Sequence, residues 1–249
     1  MVLEENVIPK QKLIEIRSKL MDLLKGKKYS MLISMCNKAT QPFLLSKRDY
    51  DRTSITPYDN KLAKYFNLSG YVNGSILEEH KKIAAQLPKK EFLNDFFSLL
   101  INSECKLIVS LVDCESEDYF EKIHLLKRQV HYYQGKMSFC DETYVFKENY
   151  TVRRLRYLGW NDFSIPKIEE FTIFMDYYWK IKCDSYVLIH CLAGVGRTGT
   201  FIMFDILSKL PSITYESFID TLIYLRSQRA HMVYNSVQLE FLAEYFLRS

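Results

Sequence analysis

Cys191 and Arg197 stand six residues apart in the run Tyr186-Val-Leu-Ile-His-Cys-Leu-Ala-Gly-Val-Gly-Arg-Thr-Gly-Thr200. That spacing suits chemistry on an anion. Val187, Leu188 and Ile189 predict a short buried strand, which His190 and Cys191 end. An apolar segment of helical length follows, from Phe201 to Leu210. A thiol at the mouth of a strand-to-helix turn meets converging backbone N–H groups and the positive end of the helix. Both favour a thiolate over a thiol. Gly194 and Gly196 let the backbone curl, so that the amides of Leu192, Ala193, Gly194, Val195 and Gly196 ring an anion. The Arg197 guanidinium can fork two hydrogen bonds onto a phosphate or sulfate. Thr198 can donate its hydroxyl to the sulfur and help the thiolate leave later. The result is an anion cradle with a nucleophile at its floor.

The rest of the chain must hold that loop. The 249 residues suit one large domain, and 48% apolar with 26% charged residues is ordinary for a globular protein. A net charge of +4 excludes an argument for nucleic acid from charge alone. Cysteines at 36, 105, 114, 140, 183 and 191 show neither a zinc spacing nor a disulfide framework. A thiolate nucleophile needs a reducing compartment. With no apolar signal core and no membrane-span window, a cytoplasmic protein is expected.

Apolar periodicity predicts helices over 11–25, 91–101, 168–178, 215–227 and 237–247, and loop over much of 38–60. Leu107 to Val112 reads as a buried strand. Residues 129–158 carry short strands and tight polar turns, with a hairpin turn at Glu148-Asn149-Tyr150, which fits the antiparallel part of a mixed sheet.

The run from His190 to Thr198 resembles the signature loop of the cysteine-dependent protein tyrosine phosphatases. Weaker likenesses extend over roughly residues 30–249. The resemblance implies an α/β (α+β type) fold, a highly twisted mixed central sheet with helices on both faces. It implies one catalytic domain over 1–249, with 1–29 as an N-terminal helical extension. In the family an aspartate on a mobile Trp-Pro-Asp loop protonates the leaving group. Here Trp160-Asn161-Asp162 occupies that place, so Asp162 is the expected acid–base and Trp160 the hinge anchor. Asn161 replaces the proline, which loosens the loop's φ restriction and alters its open–closed balance. His190 is expected to order the loop and tune the thiolate.

Other likenesses carry further expectations. Tyr71-Val-Asn-Gly-Ser75 resembles a family strand whose asparagine, here Asn73, is a structural anchor. Gln86-Leu87-Pro88 stands where the family has Gln-Gly-Pro, so that turn must be reshaped. Glu115 or Glu117 can pair with Arg197. Pro57-Tyr58-Asp59 marks the end of the loop whose tyrosine stacks on the substrate ring. An ungapped count puts Arg52 at the stacking position and Ser54 at the peptide clamp. A two-residue insertion instead puts Tyr50 there with Asp51 beside it, and Tyr50 is the reading adopted. Near the C-terminus, Gln238 matches the second of two family glutamines. Tyr234 replaces the first, which positions the hydrolytic water, and His231 reads as structural.

The activity implied is hydrolysis of phosphotyrosine in proteins by a monomer without metal or cofactor. No nucleic-acid partner and no membrane span are expected. Two other readings stay open. One is a related phosphatase for phosphoserine or phosphothreonine, phosphoinositides or RNA 5′-phosphates. The other is a phosphotyrosine-binding module with impaired hydrolysis.

Overall fold

The structure, a computed structural model, describes residues 7–112, 118–147 and 149–247. The N-terminal part runs α1 (Val7–Glu15), α2 (Arg17–Lys25), α3 (Tyr29–Thr40) and α4 (Lys61–Tyr65). Then come β1 (Gly74–Leu77), β2 (Lys82–Gln86), α5 (Leu93–Asn102) and β3 (Leu107–Ser110). A meander follows: β4 (His124–Tyr133), β5 (Lys136–Phe146) and β6 (Tyr150–Tyr157). The chain closes with α6 (Ile168–Ile181), β7 (Val187–Cys191), α7 (Gly196–Leu207), α8 (Tyr215–Gln228) and α9 (Ser236–Phe246).

The strands form one seven-stranded mixed sheet in the order β1-β2-β7-β3-β6-β5-β4. Strands β2, β7, β3 and β6 are parallel, and β1, β5 and β4 pair antiparallel at the two sides. Alternation along the parallel strands feeds two cores. Leu107 and Val109 of β3 and Val187 and Ile189 of β7 face α3, α6, α7, α8 and α9. Ile108 and Leu188 face the other way, into a core with Leu62 of α4 and Phe96 and Leu100 of α5. Strands buried on both faces read as continuous apolar runs. Each such side chain removed from water contributes roughly 1.5–3 kcal/mol. The predicted mixed sheet with helices on both faces is therefore the observed one.

Three local differences have physical causes. The helix expected over 11–25 is two, because Ile16 leaves helical geometry at φ −101° and ψ 3°. The bend lets both halves lie along α8, where Arg17 pairs with Asp220 at 2.6 Å. Within the expected loop 38–60, α3 runs on to Thr40 and a 3₁₀ turn covers Gln41–Phe43, so irregular chain begins at Leu44. The β4–β5 turn is Gln134-Gly135, both with positive φ (49° and 77°), the pairing a two-residue hairpin favours. In the β5–β6 turn, the Tyr150 amide donates to the Lys147 carbonyl at 2.9 Å. Glu148, Glu115 and Glu117 lie outside the described residues.

Parallel pairing sends β2, β7, β3 and β6 out of the sheet at one end. Cys191 closes β7 there, and the chain beyond β6 reaches Trp160 at the same end. In open α/β sheets the crevice outside the carboxyl ends of the strands is where ligands bind.

Candidate active site

The loop from Cys191 to Gly196 is shaped by what accepts at its outer side. The carbonyls of Cys191 and Leu192 both accept from the Leu87 amide, at 2.9 and 3.1 Å. Those of Ala193 and Gly194 accept from the Arg229 guanidinium at 3.0 and 2.9 Å. The Val195 carbonyl accepts from the Gly199 and Val233 amides, and that of Gly196 from the Thr200 hydroxyl. Leu87, Arg229, Val233 and the first turn of α7 thus engage six successive carbonyls and fix the backbone of the loop that begins at Cys191. Helix α7 begins at Gly196, so Arg197 and Thr198 occupy its first turn.

Arg229 is fully buried, and burial pushes its guanidinium down to about 10. It also donates to Asn73 Oδ1 at 2.6 Å, and the Asn73 amide donates in turn to Asp51 and to the Ile55 carbonyl. Asn73 is thus the buried anchor that joins the cradle to residues 51–55. Gly194 has φ +71°, and a Cβ there would lie 2.2 Å from the Ala85 carbonyl oxygen. Gly194→Ala is expected to cost about 3 kcal/mol, read by denaturant unfolding, since both strain and overlap oppose it.

His190 is buried, with Nε2 at 2.9 Å from the Tyr119 hydroxyl. Burial, then Arg154, pushes its imidazole down to about 3, so it is neutral near pH 7. A neutral ring held from behind suits a positioning role. The Thr198 hydroxyl is buried and has no hydrogen-bond partner among the described residues.

Asp162 faces the cradle. Its Oδ1 is 3.2 Å from Arg197 Nη2, while Arg197 Nη1 donates to the Trp160 carbonyl at 3.0 Å. Trp160 is buried and its indole donates to the Ser164 carbonyl at 2.9 Å, which closes the loop on itself. Four of the residues brought together by a cavity of 190 Å³ are Asp162, Cys191, Gly196 and Gln238. Leu192, Ala193 and Val195 line it as well, as do Phe163 and Tyr234.

The family model described as protein-tyrosine phosphatase matches residues 47–248, from the irregular segment after α3 onward. The chain belongs to the protein tyrosine phosphatase family. Rat receptor-type tyrosine-protein phosphatase epsilon is 30% identical over 216 residues, which is 72% of this chain and 30% of that protein. Rat tyrosine-protein phosphatase non-receptor type 20 is 26% identical over 230 residues, 82% of this chain and 55% of that one. The chain therefore spans about a third to a half of these relatives. PTPN18 solved in complex with HER2 phosphopeptides superposes with a TM-score of 0.73 at 23% identity, covering 93% of this chain and 98% of that chain. The human PTPN18 catalytic domain gives 0.69 at 23% identity, over 90% and 94% of the two chains. These structures share the fold.

Against the family pattern one expectation fails. Tyr50 does not line the pocket. It is buried, edge-on to Tyr71 at 5.5 Å and against Phe92 at 5.0 Å. Its carbonyl accepts from Gln86 Nε2, which fixes the backbone and turns the ring into the core. Arg52 also points away, donating to the Leu87 and Pro88 carbonyls at 2.7 and 2.8 Å. Those bonds reshape the Gln-Leu-Pro turn while Leu87 stays out of the left-handed region. The wall is instead Thr53, Ser54 and Ile55. Asp51 binds Tyr71, Asn73 and the Arg48 amide, so it braces this wall from inside.

At the other rim, Tyr234 packs on Phe163 at 5.8 Å between ring centroids. Gln238 lines the pocket, where its Oε1 accepts from the Tyr234 amide at 3.1 Å and its Nε2 donates to the Ser164 carbonyl at 3.4 Å. His231 bonds Asn37 and Gln41 and is pushed down to about 4 by burial, a structural placement. Sequence reading missed Arg229, Phe163 and Asn235. Arg229 carried no periodic signal. Asn235 was legible as a helix cap, since its Oδ1 accepts from the Gln238 amide.

Asn235 does more than cap α9. Its Nδ2 donates to the Phe163 carbonyl at 2.9 Å and so ties the loop that carries Asp162 to the last loop. Asn235→Asp keeps the cap and deletes that donor. It is expected to lower kcat for a phosphotyrosine peptide about three- to tenfold with little change in Tm, the size of one lost hydrogen bond.

Proposed function

We propose that this chain is a protein tyrosine phosphatase that hydrolyses phosphotyrosine in proteins through a cysteinyl-phosphate. One observation carries the reading: Cys191 and Asp162 line one cavity together with the loop residues Leu192, Ala193, Val195 and Gly196, and Arg197 stands 3.2 Å from Asp162. A phosphate dianion entering there takes Arg197 and the amides of Leu192 to Gly196 as donors. The Cys191 thiolate attacks phosphorus, the P–O bond to the tyrosyl oxygen breaks, and Asp162 gives that oxygen its proton. In the second step Asp162 takes a proton from water, the water oxygen bonds phosphorus, and the P–S bond breaks. Thr198 donates to the departing sulfur. Ile55, Phe163 and Tyr234 supply apolar and aromatic surface for the phenyl ring.

The alternative of binding without turnover rests on Tyr234, which stands where the family has its water-positioning glutamine. Gln238 lies in the same pocket and is the group proposed to hold the water. No described helix is long and apolar enough to cross a membrane. We place the enzyme in the cytoplasm as a monomer, acting on phosphotyrosine proteins without metal or cofactor.

Rapid-mixing hydrolysis of a phosphotyrosine peptide tests this. Linear product formation over many turnovers is the expected result. A burst equal to the enzyme concentration followed by arrest would make the chain a capture module. No release from the peptide, with release from a phosphoinositide or an RNA end, would replace the substrate.

A further inference from the structure

At the end of the sheet opposite Cys191, three lysines converge. Lys82 opens β2, Lys182 follows α6 and Lys209 follows α7. All three line a cavity of 470 Å³, with Tyr178 beside them. Asp205 is the carboxylate in their midst, and its acceptor capacity is heavily used. Its Oδ2 accepts from Lys82 at 2.6 Å and from Lys209 at 2.8 Å, and its Oδ1 accepts from the Trp179 indole at 2.7 Å.

Lys182 lines the same cavity, where burial, then Lys209, pushes its ammonium down to about 8 against the pull of Asp205. Lys82 and Lys182 both stand about the Tyr178 ring, at 6.0 and 5.9 Å from its centroid. Tyr178 supplies no negative charge, because burial raises its phenol well above the ordinary value. His80 on the lining is pushed down by burial and by Lys82. The other acids lie at the rim: Asp184, almost fully exposed, pairs with Lys81, and Glu79 is exposed.

Three ammonium groups about one buried carboxylate leave an excess of two positive charges. Neutralising Asp205 needs one lysine. Lysine is a compact point charge with three donors, suited to phosphoryl oxygens. We propose that this cleft is a second anion-binding site, which takes a phosphate-type group bearing two or more negative charges. The group could come from a soluble phosphorylated molecule or from a phosphoinositide headgroup.

The chain has two tryptophans, one at each site: Trp160 beside Arg197 and Trp179 on Asp205. Their indole N–H resonances separate the two ends of the molecule. The probe is inorganic pyrophosphate, added to the full chain carrying Arg197→Ala to weaken the catalytic cradle. Saturable movement of the Trp179 resonance is expected, with affinity reduced about tenfold or more by Lys182→Gln with Lys209→Gln. Should that pair unfold the chain, Lys182→Gln alone leaves the Lys209–Asp205 pair intact and must still weaken binding. A Trp179 resonance that does not saturate, or equal affinity in these variants, overturns the proposal. Phosphatidylcholine vesicles doped with a phosphatidylinositol bisphosphate assign the source. Co-sedimentation lost in the lysine variants indicates the lipid headgroup. Pyrophosphate binding without co-sedimentation indicates the soluble ligand.

Discussion

Cys191→Ser is expected to fold, to bind a phosphotyrosine peptide, and to lose turnover by about 10⁵–10⁶, the scale seen when a nucleophile is removed from a covalent mechanism. The substitution exchanges sulfur for oxygen at a buried position and leaves the backbone of the cradle untouched. Leu87, Arg229 and Val233 still engage the loop's outer carbonyls, so the amides stay available to the phosphate. What disappears is the sulfur nucleophile. A hydroxyl in the same field keeps its proton near neutral pH and cannot attack phosphorus. Calorimetric titration with the peptide beside steady-state kinetics separates the two properties. Retention of even a hundredth of the parent rate would remove Cys191 from the nucleophile role.

Asp162→Asn carries the second large effect. The loop's own contacts survive, since an amide oxygen can still accept from the Phe163 amide as Asp162 Oδ1 does at 3.1 Å. Trp160 remains pinned by Ser164 and Arg197. The proton for the leaving oxygen is gone, and kcat on a phosphotyrosine peptide should fall about 10²–10⁴-fold. An aryl phosphate whose phenol is far more acidic needs less protonation, so its rate should fall much less. Equal losses on both substrates would show that Asp162 serves loop closure through Arg197 and not proton transfer.

Much of this site was legible because it is local. A strand, a thiol, two glycines and an arginine lie within one short run, and their order alone dictates a cradle. The parallel strands announced themselves as apolar runs for the same reason: burial on both faces leaves no polar alternation. The wall of the pocket was not legible. Counting from Pro57-Tyr58-Asp59 offered Tyr50 or Arg52, and neither lines the cavity. The deciding contacts reach far in sequence, Gln86 to the Tyr50 carbonyl and Arg52 to the Leu87 and Pro88 carbonyls. Arg229 escaped for a related reason. A buried arginine that organises another loop leaves no mark on the periodicity of its own. The break at Ile16 was hidden too, because Leu13, Leu20 and Leu24 keep helical spacing across it while the backbone does not.

Arg229 has a consequence for how the protein is made. It joins Asn73 to the carbonyls of Ala193 and Gly194, and so ties an early strand to a late loop through a residue later than both. A ribosome releases Cys191 well before it releases Arg229. Throughout that interval the cradle lacks its outer brace. The loop around Cys191 therefore takes its final shape only after all seven strands of the sheet have been synthesised.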